Sequence, residues 1–417
     1  MHSPFDLVAL LLVLSAVLAF LNHRVLKLPL TVGLLVGAAA SALIVIALDA
    51  VLPALGLKPM IRNLAHSINF PTTLLNGFLA FLLFAGALQV NSADLFSRKW
   101  TILALATLAT VLSTGLVAAT LHAVSWMLGL GISLYWCLVF GALISPTDPV
   151  SVLDVLKRVG IPAHLQATVA GESLFNDGIG VVLFTLMLSL ATSHQIDDFG
   201  AGTIAGLFLL EAIGGGLLGL GAGYLAFLMI KQVDDYNVEL IISLALASGT
   251  YTVAGLLGVS GPIAVVVAGI LIGNHGMSHA MSETTRQHLM TFWRFVEEIL
   301  NAVLFLMIGL EIASVDLDRG SIIATAVMIP MVLAIRWLSV AASALPLNLH
   351  LPGRSRSLLI LTWGGLRGGL SIAMALSLPD GPSKNSILTI TYGIVVFSIV
   401  IQGLTLETIA RRGLTEK

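Results

Sequence analysis

Charge is scarce in this chain. Of 417 residues only 10% are Asp, Glu, Lys or Arg, while 57% are hydrophobic. An ordinary soluble domain carries about 25% charged residues, so composition alone excludes a large soluble core. Cysteine is nearly absent too. Cys137 stands alone, which rules out an internal disulfide framework, and its apolar surroundings mark it as a packing residue. The short alternating strands of a membrane barrel are missing. So are a Walker motif, a nucleotide-binding loop and a nucleophile–His–acid arrangement, so no enzyme activity, cofactor or nucleotide partner is expected. ATP-driven pumping would need a partner that this chain does not contain. The ten histidines lack metal-ligand spacing. A net charge of −2 gives nucleic acid nothing to recognise.

What the chain has is long apolar runs. Roughly 20 apolar residues span a bilayer as a helix. Thirteen segments qualify: 5–21, 28–48, 70–88, 102–121, 134–156, 168–190, 206–230, 240–257, 259–272, 292–312, 322–345, 358–378 and 387–406. The ninth is short, so twelve is the alternative count. The expected fold is an all-α polytopic membrane protein with the lipid bilayer as its surroundings. The first run lacks a basic n-region and a small-residue cleavage site, so it reads as a retained helix and not a signal peptide. Orientation follows from basic residues in loops. With the N-terminus outside, the inner loops and tail hold Arg24, Lys27, Arg98, Lys99, Lys157, Arg158, Lys231, Arg286, Arg354, Arg356, Arg411, Arg412 and Lys417. The outer loops hold only Lys58, Arg62, Arg319 and Lys384. The reading is a multi-pass protein of the cell inner membrane with a cytoplasmic C-terminus.

An odd number of helices suggests two six-helix halves of opposite sense joined by a linker. One transmembrane domain over 1–417 would then comprise a repeat at about 4–190, a linker helix at about 206–230, a repeat at about 238–406 and a short tail, 407–417. Inverted repeats and interrupted helices mark the binding sites of secondary transporters. Helix five reads Ser145-Pro146-Thr147-Asp148-Pro149 and helix twelve Gly364-Gly365-Leu366-Arg367-Gly368-Gly369. Each is the fifth helix of its half. Pro146 and Pro149 leave the carbonyls of Ala142 and Ser145 without their helical donors. In a bilayer those carbonyls need another partner, and a cation or a water-lined cavity supplies one.

Charge inside a membrane helix is costly and by default functional. The candidates are Asp148, Glu172, Asp177, Glu211, Arg336 and Arg367. In helix six, Ser173 and Asp177 lie one turn apart on one face. They form an oxygen patch suited to a small hard cation. In helix five, Thr147 can offer a carbonyl and a hydroxyl, and Asp148 adds a formal charge. Glu172 and Asn176 form a second pair, rotated by about 100°, that looks like scaffolding. Glu172 needs a positive partner, and Arg336 is the preferred one. Arg367 would then hold loose carbonyls of helix twelve. Glu211, beside Gly214–Gly216, reads as a packing group. Glu297 and Glu298 read as complementing the dipole of a nearby helix start. His275, His279 and His288 read as a cluster in a solvated loop.

Three motifs together resemble the monovalent cation:proton antiporter family, and more narrowly its NhaP-type sodium/proton exchangers. They are Ser145-Pro146-Thr147-Asp148-Pro149-Val150, Gly171-Glu172-Ser173-Leu174-Phe175-Asn176-Asp177 and Trp363-Gly364-Gly365-Leu366-Arg367-Gly368-Gly369. The resemblance covers nearly the whole chain, including Phe305-Leu306-Met307-Ile308-Gly309-Leu310-Glu311. It implies a thirteen-helix fold with inverted repeats, a homodimer, and a mobile core beside a dimer-forming domain. It implies Asp177 as the shared site of cation and proton, with Thr147, Ser173 and Asp148 completing the coordination and Asn176 beside it. Asn176 before Asp177 resembles the electroneutral branch. One departure is Ala85, which stands where many relatives carry a Glu. The expected activity is exchange of Na+, Li+ or K+ for a proton by competition at Asp177. A potassium/proton antiporter and a cation channel or uniporter are the alternatives. An organic-anion symporter and an intramembrane enzyme fit less well.

Overall fold

A computed structural model describes residues 4–51, 71, 74–148, 150–192, 201–277, 280–311, 318–344 and 354–415. Pro149, Lys58, Arg62, His279 and Lys417 lie outside the described residues. Among those described, the regular structure is entirely helical. The helices are α1 (Pro4–Leu21), α2 (Leu30–Val51), α3 (Leu79–Leu88), α4 (Lys99–Leu128), α5 (Leu134–Ile144), α6 (Val150–Val159), α7 (Ala163–Thr192) and α8 (Ala201–Ile230). After them come α9 (Tyr236–Leu257), α10 (Gly261–Leu271), α11 (Glu283–Glu311), α12 (Arg319–Ala344), α13 (Arg354–Trp363), α14 (Gly369–Leu376), α15 (Pro382–Phe397) and α16 (Gly403–Thr415). Each of the thirteen apolar runs contains helix. Eight helices among the described residues are long and apolar enough to cross a membrane.

Local chemistry sets the boundaries. The Asp235 side chain accepts the Asn237 N–H and starts α9, and Gly258 ends it at φ 66°, in the left-handed region that favours glycine. Ser260 caps the next helix, with Pro262 in its first turn. α11 runs well beyond its apolar segment, back to Glu283. Its N-terminal part carries too many polar residues for a hydropathy reading to include it.

Small residues bring the helices close, as membrane packing favours. A Cβ on Gly215 or Gly219 of α8 would overlap the carbonyl of Ser260 or Ala264, and Gly223 sits on Ala268. Gly309 of α11 lies against Leu35 and Ala38 of α2, and Gly141 of α5 against Thr114 of α4. α3 packs on α10 and α11, where Phe84 meets Trp293 at 4.7 Å between ring centroids. Trp293 Nε1 donates to Ser243 Oγ on α9 at 3.0 Å.

Candidate ion site where two helix breaks cross

Both expected breaks are present. The chain leaves helical geometry between α5 and α6 and again between α13 and α14. The two unwound segments meet. The Asp148 amide donates to the Leu366 carbonyl at 2.8 Å. Arg367 Nη1 donates to the carbonyls of Ser145 at 2.5 Å and Pro146 at 2.9 Å. The Arg367 amide donates to Ser398 Oγ at 2.9 Å. The Ser145 carbonyl therefore takes a guanidinium and does not wait for a cation. This also corrects the expectation for Arg367, which serves helix five and not its own helix. Arg336 is the arginine that reaches helix twelve, through Nη2 to the Leu361 carbonyl at 3.2 Å.

Glu172 and Arg336 are brought together. Oε1 and Nη2 lie 2.5 Å apart, with side chains 2% and 4% exposed. The contact is an ion pair by distance without hydrogen-bond alignment, since Oε1 has no hydrogen-bond partner. Gly365 leaves room beside it, as a Cβ there would crowd Arg336 Nε.

Thr147 is held from behind. Its amide donates to Asn176 Oδ1 at 3.3 Å, and its hydroxyl accepts from Asn176 Nδ2 at 2.8 Å. The same hydroxyl shares a hydrogen with Ser173 Oγ at 3.0 Å. Asn176 and Ser173 are buried. Neither lines the adjoining cavity, unlike Thr147, Asp148 and Asp177. Ser173 lies one turn from Asp177, and its hydroxyl is hydrogen-bonded to that of Thr147. Ser173 and Asn176 thus both hold Thr147 in place.

The cavity is about 650 Å³. Asp177 is half-buried in its wall. Gly368 admits the Asp148 carboxyl, which a Cβ would overlap. A second set of polar residues lies along the same space: Gln89, Asp94, Lys157, Arg294, Glu297 and Glu298. Glu297 and Glu298 are thus not at a helix start. They sit within α11, facing the cavity, and Gln89 Nε2 donates to Glu297 Oε2 at 2.7 Å. Gln89 also reaches the carbonyl of Ala85, whose own side chain is fully buried. The arrangement brings the carboxylates of Asp177 and Asp148 and the side chain of Thr147 onto one cavity.

Residues 9–412 match the family described as the transmembrane sodium/hydrogen exchanger.

The chain belongs to the sodium/hydrogen exchanger family.

Among its relatives, the Na+/H+ antiporter NhaP of Pseudomonas aeruginosa is 41% identical over 413 residues, 98% of this chain and 96% of that protein. The Na+/H+ antiporter NhaH of Halobacillus aidingensis is 40% identical over 347 residues, 82% of this chain and 83% of that protein. The solved structure of the sodium proton antiporter MjNhaP1 from Methanocaldococcus jannaschii at pH 8 shares the fold, with a TM-score of 0.74 at 19% identity. The match covers 98% of both chains. The exchanger-family chain is accordingly a multi-pass membrane protein.

Some residues of this family member escaped sequence reasoning. The cavity face of α11 has a legible signal, since Arg294, Glu298 and Asn301 recur at helical spacing. Glu239 is fully buried in the first turn of α9, and its carboxylate has no hydrogen-bond partner among the described residues; nothing in its sequence context marks it. His288 is inside α11, stacked on Tyr236 at 4.7 Å, while His275 ends the α10 segment, so they do not share one loop. Glu211 is half-buried on α8, and its backbone carbonyl accepts the Ser260 amide at 3.1 Å.

Proposed function

We propose that this chain is a secondary active sodium/proton antiporter, electroneutral, with Asp177 as the carboxylate for which one cation and one proton compete. The observation that carries the reading is the placement of Asp177 and Asp148 on one cavity beside the crossed breaks. Arg367 already satisfies the carbonyls of Ser145 and Pro146. The carboxylate of Asp177 then meets what arrives through the cavity, with Asp148 beside it. Relatives named as Na+/H+ antiporters support the same substrates here.

In this mechanism protonated Asp177 cannot hold a cation, and cation-bound Asp177 cannot hold a proton. Thr147 and Asp148 contribute further oxygens, directly or through water. The carrier has thirteen crossings in two inverted repeats joined by α8, forms a homodimer, and lies in the cell inner membrane with its N-terminus outside. That orientation puts Lys157, at the end of α6 and on the cavity wall, on the cytoplasmic side. Movement of the breaks with α7 against α3 and α11 would then carry the site to the other face.

Transport is measured as proton movement in proteoliposomes driven by Na+, Li+ or K+, with and without an imposed potential. An electroneutral exchanger gives rates insensitive to the potential, and Asp177→Asn abolishes cation-driven proton flux. Retained flux in Asp177→Asn overturns the assignment. Conductance without obligatory proton movement would favour the channel alternative, and a response to K+ alone the potassium/proton antiporter.

A further inference from the structure

The cation ligands described so far all come from one side. Thr147, Asp148 and Asp177 belong to the helix-five break and α7. Ser173 and Asn176 are engaged with Thr147. On the opposite wall Ala85 offers no side-chain oxygen, and the amide of Gln89, one turn on, is committed to Glu297 and the Ala85 carbonyl.

Among the described residues of that wall, one buried polar side chain has no partner. Asn301 of α11 is 5% exposed. It lines the cavity, and among the described residues none donates to its carboxamide or accepts from it. A buried carboxamide without a partner is destabilising, so its partner must come from the cavity. Its depth is fixed by the next turn of the helix. Leu304 lies against Gly369 at the start of α14, and one helical turn is about 5 Å. Asn301 therefore stands about one turn from the helix-twelve break that carries Gly368 and the neighbouring Asp148 carboxyl. The residues preceding it on the same face, Arg294, Glu297 and Glu298, line the same cavity.

From this we infer that Asn301 supplies a side-chain oxygen to the cation held at Asp177, closing the coordination from the α11 wall. The ligand is a desolvated monovalent cation, which accepts carbonyl and carboxylate oxygens alike. The inference rests on the reading of Asp177 as the transport carboxylate.

The test uses the purified full-length protein with Asn301→Ala and Asn301→Ser. A neutral ligand to a charged group is lost in the alanine variant, so the apparent KM for Na+ rises about tenfold or more while Vmax changes little. Serine keeps an oxygen and recovers part of the KM. Na+-induced thermal stabilisation in detergent, which does not depend on turnover, falls in the same order. An unchanged KM with unchanged Na+ stabilisation overturns the inference, as does a loss of Vmax without a KM change. If the alanine variant does not survive purification, the serine variant decides, since a wild-type KM there overturns it. Asp177→Asn in the same vesicles separates the two readings. If it transports normally, the site assignment fails. If it is inert while Asn301→Ala behaves as wild type, only the role of Asn301 fails.

Discussion

Arg367 Nη1 lies 2.5 Å from the carbonyl oxygen of Ser145, a residue 222 positions earlier in the chain. The same nitrogen also serves Pro146. One guanidinium thus satisfies two carbonyls that the helix-five break releases into the membrane interior.

Removing that guanidinium should leave both carbonyls without a donor. Arg367→Ala is expected to lose about 3 kcal/mol of stability, the order found for unmet buried groups. Arg367→Lys should recover only part, because an ammonium lacks the planar fork of the guanidinium. Unfolding of purified protein in mixed micelles measures both. Wild-type stability in Arg367→Ala would show that other groups or water meet the carbonyls.

Glu172 and Arg336 give a double-variant cycle. Glu172→Gln strands a buried guanidinium and should cost about 3–5 kcal/mol. Arg336→Leu added to it removes the stranded charge and should restore much of that loss. If the double variant is as unstable as the sum of the singles, the pair at 2.5 Å does not couple energetically.

Two neighbouring positions on α8 should respond in opposite directions. A Cβ on Gly219 would overlap the carbonyl of Ala264, whereas nothing lies within 4 Å of one on Gly216. Gly219→Ala should destabilise by about 1–3 kcal/mol through forced separation of α8 from α10. Gly216→Ala should be neutral or gain about 0.5–1 kcal/mol from the reduced freedom of the unfolded chain. Equal effects at the two positions would argue against close packing of α8 on α10.

Competition at one carboxylate fixes the sign of the pH dependence. Acid protonates Asp177 and excludes the cation, so the apparent KM for Na+ should rise as pH falls. On the acid side the slope approaches about tenfold per pH unit, one proton displaced per cation bound. Saturating Na+ should then restore the rate. An acid-side loss of Vmax that Na+ cannot overcome would point to protonation elsewhere.

The helical pattern of apolar residues is enough to read the all-α fold. Pro146 and the glycines at 364–369 are enough to locate the breaks, because Pro and Gly act on their own backbone. Spacing along α7 also puts Glu172 and Ser173 on different faces. What faces each side chain is not a property of its own helix. Ser173 sits one turn from Asp177, yet Thr147, from 26 residues earlier, takes its hydroxyl. The reach of Arg367 to Ser145 is invisible for the same reason. Hydropathy also shortens α11, since the charges that line the cavity are the ones that end an apolar run. A run cut short in this way puts Glu297 and Glu298 at an apparent helix start. The partners of Gly215, Gly219 and Gly223 lie on another helix, and periodicity alone does not name them.

The bond between the two breaks also bears on biogenesis. Ser145 leaves the ribosome 222 residues before Arg367, which at bacterial and eukaryotic synthesis rates is roughly 10–45 seconds. Through that interval the carbonyls of the first break have no guanidinium to accept from. The nascent first half must keep them hydrated, or hold them at the insertion machinery, until the second half arrives. A chain truncated before Arg367 is then an orphan with a polar wound in its fifth helix, and a membrane quality-control protease would have a physical feature by which to recognise it.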